Sequence, residues 1–276
     1  MTAVMSPLPR LVESETVSTT PSAVNQKERV RDFWEEEPCG SEHVALPEGT
    51  AEFFAEVERT RDALDPYIHR FADFAGARGK RLLEIGVGLG TDFVRFARAG
   101  AVATGVDLTE HAVELVRRRL ALEGLQAEVR TADAENLPFD DGSFDRVYSW
   151  GVLHHSPDTD RAVREAIRVL RPGGRLCVML YARHSWVAYG MWVRHALLAG
   201  RPWRSLADVL SAHMESPGTT AYTAGELLAM FAGLDELRID QVATSYDRQM
   251  VGPLVRLTGD RFGWNLVIRG RRARSR

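Results

Sequence analysis

Short apolar runs alternate with amphipathic segments through the middle of the chain, and this alternation restricts the fold more than any other feature. The runs that predict strands are residues 81–85, 102–106, 127–131, 145–149 and 175–181, followed later by 237–242 and 264–268. The helices predicted between the earlier runs are residues 92–99, 110–123 and 159–170. Strands joined by helices are typical of a parallel sheet covered on both faces. We therefore predict an α/β fold with a doubly wound, mostly parallel sheet.

Turn and cap residues mark where the predicted elements end. The helix over 110–123 is followed by Gly124, which favours a left-handed helix end. The Arg-Pro-Gly-Gly segment at 171–174 ends the helix before it, because proline cannot continue the hydrogen-bond ladder. Thr223 and Glu226 form a T-x-x-E capping box that predicts one further helix late in the chain.

Composition restricts the class of protein before any motif is considered. The 276 residues, 45% hydrophobic and 26% charged, are enough for one principal domain. A formal net charge of -3 gives no general attraction for nucleic acid, although a local basic patch is compatible with it. Cys39 and Cys177 lie far apart without metal-ligand or redox spacing, so we expect no metal site, no disulfide and a reducing compartment.

The ends of the chain carry no pattern of export or membrane insertion, so a cytoplasmic protein without integral membrane segments is expected. Residues 1–24 are predicted to be a disordered tail, and 25–78 an N-terminal helical cap. The main domain is assigned to 79–270. The arginines that follow the last predicted strand are interpreted as solvated, and 271–276 as a basic tail.

Acidic residues and glycines follow the first three predicted strands, at the edge where open α/β sheets bind ligands. After the first strand come Glu84, Gly86, Val87, Gly88 and Gly90; the second ends at Asp107, and the third precedes Asp133-Ala134-Glu135. Glycine lets a backbone approach a ligand, but packing of a helix on a strand also requires it. Carboxylates buried together are costly when unpaired, so we expect a cationic or hydroxyl-rich ligand.

These segments resemble the class I S-adenosylmethionine-dependent methyltransferases, within the small-molecule branch that includes ubiquinone and menaquinone methyltransferases. The resemblance covers residues 79–180 and is carried by 82–90, 105–107, 133–139, 153–155 and 169–174. It implies a Rossmann-like methyltransferase fold with seven strands, the last antiparallel, and S-adenosylmethionine as cofactor. It also implies methyl transfer to a small acceptor, expected to be hydrophobic or aromatic.

The resemblance further implies how the cofactor is held. Glu84 and the glycine turn would face the methionine moiety, Asp107 with its neighbour Leu108 would bind the ribose, and Asp133, Ala134 and Glu135 would hold the adenine. The segment Ser149-Trp150-Gly151, after the fourth strand, would complete the pocket.

A nicotinamide-binding Rossmann domain is the nearest rival, since it also pairs a glycine turn with a later acidic residue. Its G-x-G-x-x-G fingerprint is not met, because Thr91 occupies the place of the third glycine and Gly90 comes one residue early. Glu84 would also repel a pyrophosphate, whereas a sulfonium and an ammonium suit an acidic rim. The spacing and the charge therefore both disfavour a dinucleotide.

His154 and His155 are the candidate catalytic residues. In-line methyl transfer needs mainly orientation of the acceptor, but a hydroxyl acceptor would need a base, and both histidines follow the fourth strand. The alternative is that the pair only shapes the loop before the next helix. The residues leave both roles open.

Substrate selection is expected from two regions outside the resemblance. Residues 26–74 carry aromatic pairs, Phe33-Trp34 and Phe53-Phe54, that suit either a lid or a core. The insert at 182–221 is aromatic enough to line an acceptor pocket as a lid, the role we expect, or to lie along a membrane surface as a peripheral contact. A function of another class also stays open: a cyclase-like enzyme or an accessory protein that binds S-adenosylmethionine without transferring its methyl group.

Overall fold

The computed structural model describes residues 23–36, 38–216 and 218–274. The predicted disordered tail lies outside these ranges, apart from residues 23 and 24, which begin the first helix. The last two residues of the predicted basic tail, 275 and 276, also lie outside them.

A seven-stranded sheet forms the centre of the described chain, in the order β3-β2-β1-β4-β5-β7-β6. The strands are β1 (Arg81–Ile85), β2 (Val102–Asp107), β3 (Glu128–Thr131), β4 (Phe144–Trp150), β5 (Leu170–Tyr181), β6 (Leu234–Val242) and β7 (Asn265–Arg272). Strands β1 to β5 are parallel, and β7 runs antiparallel to both of its neighbours. The strand order reverses between β1 and β4, which is where such sheets open a ligand crevice. The predicted doubly wound sheet, with its last strand antiparallel, is confirmed.

Helices cover the sheet on both faces. They are α1 (Ala23–Glu36), α2 (Ala51–Leu64), α3 (Ile68–Ala72), α4 (Thr91–Arg98), α5 (Glu110–Glu123), α6 (Thr159–Val169), α7 (Trp186–Trp192), α8 (Leu206–His213), α9 (Ala224–Met230), α10 (Ser245–Val251) and α11 (Leu254–Thr258). Among the described helices, none has the length and apolarity to cross a bilayer.

The core divides into two main layers, one on each face of the sheet. Successive side chains of a strand point to opposite faces, and in β1 Leu82 belongs to one apolar cluster while Leu83 belongs to the other. Both side chains are completely buried. This burial on two faces explains why the predicted strands are nearly continuous apolar runs.

The predicted ends of elements agree with the structure where a cap or turn residue specifies them. Thr223 Oγ1 accepts a hydrogen bond from the Glu226 backbone N–H (3.3 Å), and the Glu226 carboxylate accepts one from the Thr223 N–H (2.7 Å). This capping box begins α9 as predicted. The strand before residue 175 was not predicted: β5 already begins at Leu170 and continues through the Pro-Gly-Gly segment.

The C-terminal strand corrects the interpretation of the late arginines as solvated. β7 extends to Arg272, beyond the predicted end at 268. Two of its arginines pair with acids of the adjacent strand β6, Arg269 with Asp240 (2.6 Å) and Arg271 with Glu236 (3.2 Å). Cross-strand pairs of opposite charge stabilise a sheet. These arginines are therefore part of β7 and not of a solvated tail.

The insert after β5 folds into α7, a π-helical segment at Val193–Leu197, and α8. It packs with Trp264 in an apolar cluster of its own that includes Val187, Met191 and Val209. Helices α10 and α11, between β6 and β7, were not predicted.

Candidate functional site

A pocket opens at the carboxyl ends of β1, β2 and β4, where the sequence predicts the ligand crevice. Its floor is formed by the ends of these strands and the turns that follow them. Its opposite wall is formed by α1, the segment between α1 and α2, α2 itself, and Tyr246 of α10. The pocket is therefore enclosed between the sheet and the N-terminal helical cap.

The glycine turn after β1 consists of three left-handed residues with different surroundings. Gly86, Gly88 and Gly90 have φ values of 79°, 49° and 73°. A Cβ at Gly86 would lie 2.2 Å from Val152, and one at Gly90 would lie 2.8 Å from Val116. At Gly88 a Cβ would meet no protein atom within 4 Å. Close packing thus explains two of the glycines, and open space beside the pocket explains the third.

The pocket is lined by Gly86, Val87 and Gly88, whereas Gly90 lies outside its lining. Its neighbours Leu89 and Thr91 do line the pocket, so the contact of Gly90 with the cofactor stays a prediction. Its role here is to let α4 begin next to α5, because a side chain at this position would collide with α5.

Glu84 lies at the bottom of the pocket, 4% exposed, and its Oε2 has no hydrogen-bond partner among the described residues. Burial and the negative charges of Asp92 and Asp107 raise the pKa of this carboxyl well above its usual range, while Arg61 acts in the opposite direction. A buried carboxylate oxygen without a donor costs free energy, and a ligand that supplies an N–H or a positive charge removes this cost.

Asp107 ends β2 beside the glycine turn, as predicted. Its carboxylate accepts hydrogen bonds from the Gly88 N–H (3.0 Å), the Thr109 N–H (3.1 Å) and the Thr109 hydroxyl (2.8 Å). Burial raises the pKa of Asp107, and these hydrogen bonds partly counter the effect. A carboxylate has about four acceptor sites, so capacity for a ligand hydroxyl remains. Leu108, its neighbour, lines the pocket too.

The acids after β3 are held by a cation that sequence reasoning missed. Lys27 Nζ of α1 forms salt bridges with Asp133 (2.7 Å) and with Glu135. Asp133 and Ala134 line the pocket, but Glu135 does not; it also accepts hydrogen bonds from the Ser156 hydroxyl and the Asp158 N–H. The cofactor contact of Glu135 stays a prediction; in the structure this side chain links α1 to the loop before α6.

The segment after β4 is divided between packing and pocket. Ser149 is completely buried and donates its hydroxyl to the Ile85 carbonyl (2.9 Å), so its side chain joins two strands and does not line the pocket. Trp150 and Gly151 do line it. The Trp150 ring stacks on the Tyr148 ring with 5.9 Å between the ring centroids, and this contact fixes the orientation of Trp150 at the pocket edge.

The two histidines have different environments. His155 lines the pocket, and its Nδ1 is hydrogen-bonded to Ser216 Oγ (2.7 Å) and Thr219 Oγ1 (2.9 Å). His154 lies outside the lining, completely buried, with its ring 3.9 Å from that of Tyr181 and both nitrogens without partners among the described residues. Burial lowers the pKa of His155 to about 3, and burial with the neighbouring His155 lowers the pKa of His154 well below its usual range. Both rings are therefore neutral at physiological pH.

The buried His154 predicts a pH-dependent difference in stability. Its folded pKa is lower than its unfolded value of 6.5, so below that pH the unfolded chain binds a proton that the folded chain does not, and stability falls as pH falls. A His154→Phe variant lacks this proton. When the pH falls from about 7.5 to about 5, the free energy of unfolding of wild type should drop by about 2 kcal/mol more than that of the variant. Urea titrations of both proteins at these pH values measure the difference, and equal changes would contradict it.

A buried charge network supports the floor of the pocket and was not predicted. Asp92 accepts hydrogen bonds from Arg61 of α2 (2.8 Å) and from the Tyr148 hydroxyl (2.8 Å). Although burial opposes it, the charge of Arg61 lowers the pKa of Asp92. Arg61 and Asp92 both line the pocket. No local pattern identifies this pair, because its members lie 31 residues apart on different elements.

The helical cap and Tyr246 of α10 form the wall of the pocket opposite the strand ends. This wall mixes apolar and aromatic side chains with polar and charged ones, and its members are Lys27, Val30, Trp34, Pro38, Cys39, Gly40, Glu42, His43, Val57, Thr60, Arg61, Leu64, Asp65 and Tyr246. Within the described residues of the insert, 182–216 and 218–221, none lines the pocket. The expected lid role of the insert stays a prediction without support from the pocket lining: Trp186 donates to Thr258, Trp192 donates to the Arg204 carbonyl, and Trp203 is 78% exposed. The insert reaches His155 through three described residues at its end: Ser216 and Thr219 are hydrogen-bonded to Nδ1, and the Glu215 carboxylate lies 3.8 Å from Nε2.

The aromatic pairs of the helical cap divide between the two roles left open by the sequence. Phe53 and Phe54 are buried in a cluster with Leu89, so they belong to the core. Trp34 lines the pocket, with its ring edge-on to that of His155 at 5.2 Å.

Comparison with known proteins places this site in context. A family model described as a methyltransferase domain matches residues 83–178. The 27-O-demethylrifamycin SV methyltransferase of Amycolatopsis mediterranei is 44% identical over 103 residues, which cover 36% of this chain and 38% of that protein. A phthiotriol/phenolphthiotriol dimycocerosates methyltransferase of Mycobacterium ulcerans is 39% identical over 153 residues, 55% of this chain and 54% of that protein. The chain thus spans about half, or less, of the length of these relatives.

Two solved structures show the same fold. A SAM-dependent methyltransferase of Methanosarcina mazei superposes with a TM-score of 0.54 and 21% identity, covering 76% of this chain and 98% of that one. The [4+2]-cyclase SpnF superposes with a TM-score of 0.56 and 18% identity, covering 92% and 98%. At these identities the likeness shows the fold alone and does not separate one chemistry from another.

Proposed function

We propose, since residues 83–178 form a class I methyltransferase domain, that this chain transfers the methyl group of S-adenosylmethionine to a small hydrophobic metabolite. The predicted methyltransferase family, with S-adenosylmethionine as its cofactor, is supported by the family match and by the relatives. The observation that carries the proposed activity is one continuous pocket, with the glycine turn, Glu84 and Asp107 on one side and, on the other, a wall in which Trp34, Val57, Leu64 and Tyr246 lie among polar groups. Such a pocket holds a donor and an acceptor next to each other.

The residues present fit the cofactor. Glu84 offers a buried carboxylate oxygen without a donor, which suits the ammonium group of the methionine moiety. Gly88 leaves open space for close approach of a ligand to the backbone. Asp107 keeps free acceptor capacity for ribose hydroxyls, and Asp133 and Ala134 lie further along the same wall for the adenine.

The bound cofactor supplies an electrophilic methyl group on a sulfonium, and the chain supplies orientation and a dry pocket. Trp34, Val57 and Leu64 present apolar surface to an acceptor and exclude water. Holding two reactants in the attacking geometry accounts for a large part of the acceleration in such reactions. His155, neutral and fixed by two hydroxyls, positions the acceptor by hydrogen bonding, since its low pKa makes it a weak base.

A methyl-transfer assay tests the proposal directly. The protein is incubated with methyl-labelled S-adenosylmethionine and a panel of hydroxylated polyketides, phenols, quinones, amines and hydroxylated lipids. Label in an acceptor supports methyl transfer. Bound cofactor that is never consumed, together with acceptor cyclisation detected by mass spectrometry, would instead support the cyclase-like alternative.

Two tryptophans, one in the pocket and one on the insert, give a matched pair of variants that locates the acceptor site. Trp34→Ala removes aromatic surface from the pocket, and we expect the KM for the acceptor to rise about tenfold or more with unchanged S-adenosylmethionine affinity. Trp203→Ala removes an exposed tryptophan of the insert and should leave both constants nearly unchanged. Steady-state kinetics on the identified acceptor measure the KM. If Trp203→Ala raised the KM for the acceptor more than Trp34→Ala did, the acceptor site would have to be placed at the insert.

The finer assignments are also proposals. A role in secondary metabolism is supported by the polyketide and lipid acceptors in the relatives' names. A cytoplasmic location is supported by two free cysteines, Cys39 and Cys177, which suit a reducing compartment. A peripheral membrane contact through the insert is supported by its exposed Leu198 and Trp203. Fractionation of the native cells, with and without a salt wash, tests location and membrane contact together.

A further inference from the structure

A second recess lies on one face of the sheet, across β4, β5, β7 and β6, with α3 along its side. It has a volume of about 450 Å³, within the range of small-molecule sites. Six arginines line it: Arg70, Arg146, Arg175, Arg238, Arg269 and Arg271. The proposed methyl transfer uses none of them.

The register of the sheet brings these arginines together. Arg146 of β4 pairs with Arg175 of β5, which pairs with Arg271 of β7. Two residues earlier in β7, Arg269 pairs with Arg238 of β6. Directly paired residues point to the same face of a sheet, and so do residues two apart on one strand. Five guanidinium groups from four strands therefore share one surface.

The charges in the recess are not balanced by the chain. The carboxylates around it among the described residues are Asp73, Glu236 and Asp240, together with Asp235, which the sheet register pairs with Arg271; this makes four carboxylates against six guanidinium groups. Arg146 and Arg175 share the carboxylate of Asp73, at 3.4 and 3.5 Å. In the described chain, Arg70 and Arg238 have no carboxylate within 4 Å. This local excess of positive charge stands in a chain whose formal net charge is -3.

One arginine of the recess is held in place mainly by backbone carbonyls, and a second has a buried nitrogen without a partner in the described chain. Arg146 is 8% exposed and donates to the backbone carbonyls of Asp73 and Ala72, each at 2.9 Å. Burial and the charge of Arg175 lower the pKa of the Arg146 guanidinium. The Arg269 Nε is buried without a partner among the described residues. Solvated surface arginines would not be fixed in this way, so the cluster has the features of a built site.

We propose that this recess is a binding site for a small soluble molecule that carries a diphosphate or a similar multiply charged phosphate group. Guanidinium groups bind phosphate oxygens through paired hydrogen bonds, and several of them around one recess suit a multiply charged anion. None of the exposed large apolar side chains of the described residues lines the recess, which disfavours insertion into a lipid surface. Its concave shape favours a compact anion over an extended nucleic acid.

Calorimetric titration of the full chain with inorganic pyrophosphate tests this site. We expect saturable binding with one molecule per chain. The double variant Arg70→Gln/Arg238→Gln removes two exposed arginines without a carboxylate partner, and it should weaken binding by about tenfold or more. The control Arg256→Gln removes an exposed arginine of α11, outside the recess, and should bind as wild type does. Retained S-adenosylmethionine affinity in each variant shows that the fold is intact.

Other outcomes would overturn the assignment. Absence of saturable pyrophosphate binding at millimolar concentration would do so, as would equal binding by the double variant. Binding of vesicles containing phosphatidylglycerol, or of an oligonucleotide, without binding of pyrophosphate would show that the recess takes a lipid surface or a nucleic acid.

Discussion

Replacing Glu84 by glutamine is expected to weaken S-adenosylmethionine binding by about 10- to 100-fold, since a charge-assisted hydrogen bond to a buried carboxylate is replaced by a neutral one. The side chain keeps its shape, and its Oε2 has no partner among the described residues that the substitution would disturb. The fold should therefore be retained. Calorimetric titration with the cofactor measures the affinity of both proteins.

The pH dependence of the same titration provides an independent check. The pKa of Glu84 is raised in the free protein, so a fraction of the carboxyl is protonated, and a cationic ligand must displace that proton. Wild-type affinity should therefore rise with pH through the raised pKa, with proton release on binding, whereas the Glu84→Gln variant should lose this rise. Glu114→Gln makes the same charge change at an exposed position of α5 and should bind as wild type does. Equal affinities for all three proteins would contradict the role of Glu84.

Alanine substitutions at Gly86 and Gly88 are expected to harm the protein in different ways, the first through packing and the second through the space that the cofactor needs. At Gly86 the added Cβ would lie 2.2 Å from Val152 at a left-handed φ, so the free energy of unfolding should fall by about 2–4 kcal/mol. At Gly88 the Cβ would meet no protein atom within 4 Å, so only the left-handed backbone costs stability, about 1–2 kcal/mol. Gly88 lines the pocket, and the added methyl should reduce cofactor affinity more than about tenfold by filling space that the ligand needs.

Gly124→Ala is the matched control for this pair. Gly124 has a φ of 63°, and a Cβ added there would meet no atom within 4 Å. It lies at the end of α5, outside the pocket. Its substitution should lower stability as Gly88→Ala does while leaving cofactor affinity unchanged. Urea unfolding and calorimetry on the three variants separate the two effects. A Gly88→Ala protein that binds the cofactor normally would show that the glycine serves only the backbone.

Local sequence signals were sufficient to predict the sheet and the strand ends that line the pocket. The helix at Glu110–Glu123 was predicted at its observed bounds from its amphipathic pattern and Gly124, and in the structure Thr109 caps its other end. Glu84 and Asp107 were identified because each lies at or near the end of a strand, and parallel strands bring their carboxyl ends to one edge. These features depend on short segments whose geometry is set by neighbours in the chain.

The predictions that needed contacts between distant segments were less successful. Lys27 binds Asp133 across 106 residues, and no periodicity relates the two. The insert was expected over the pocket because of its tryptophans, but it packs on α10 and Trp264, contacts that the sequence did not indicate. Gly90 and Ser149 belong to the segments that carry the resemblance or complete the predicted pocket, yet their places are set by packing against Val116 and by a hydrogen bond to Ile85. A motif identifies a segment, but tertiary packing decides which of its side chains face the ligand.

Calorimetry of the wild-type protein with S-adenosylmethionine, and with its demethylated product S-adenosylhomocysteine, tests most directly that the acidic strand ends beside the glycine turn hold this cofactor. We expect saturable binding of both molecules at one site per chain. A folded protein, verified by circular dichroism, that gives no binding heat with either molecule at several temperatures would contradict it.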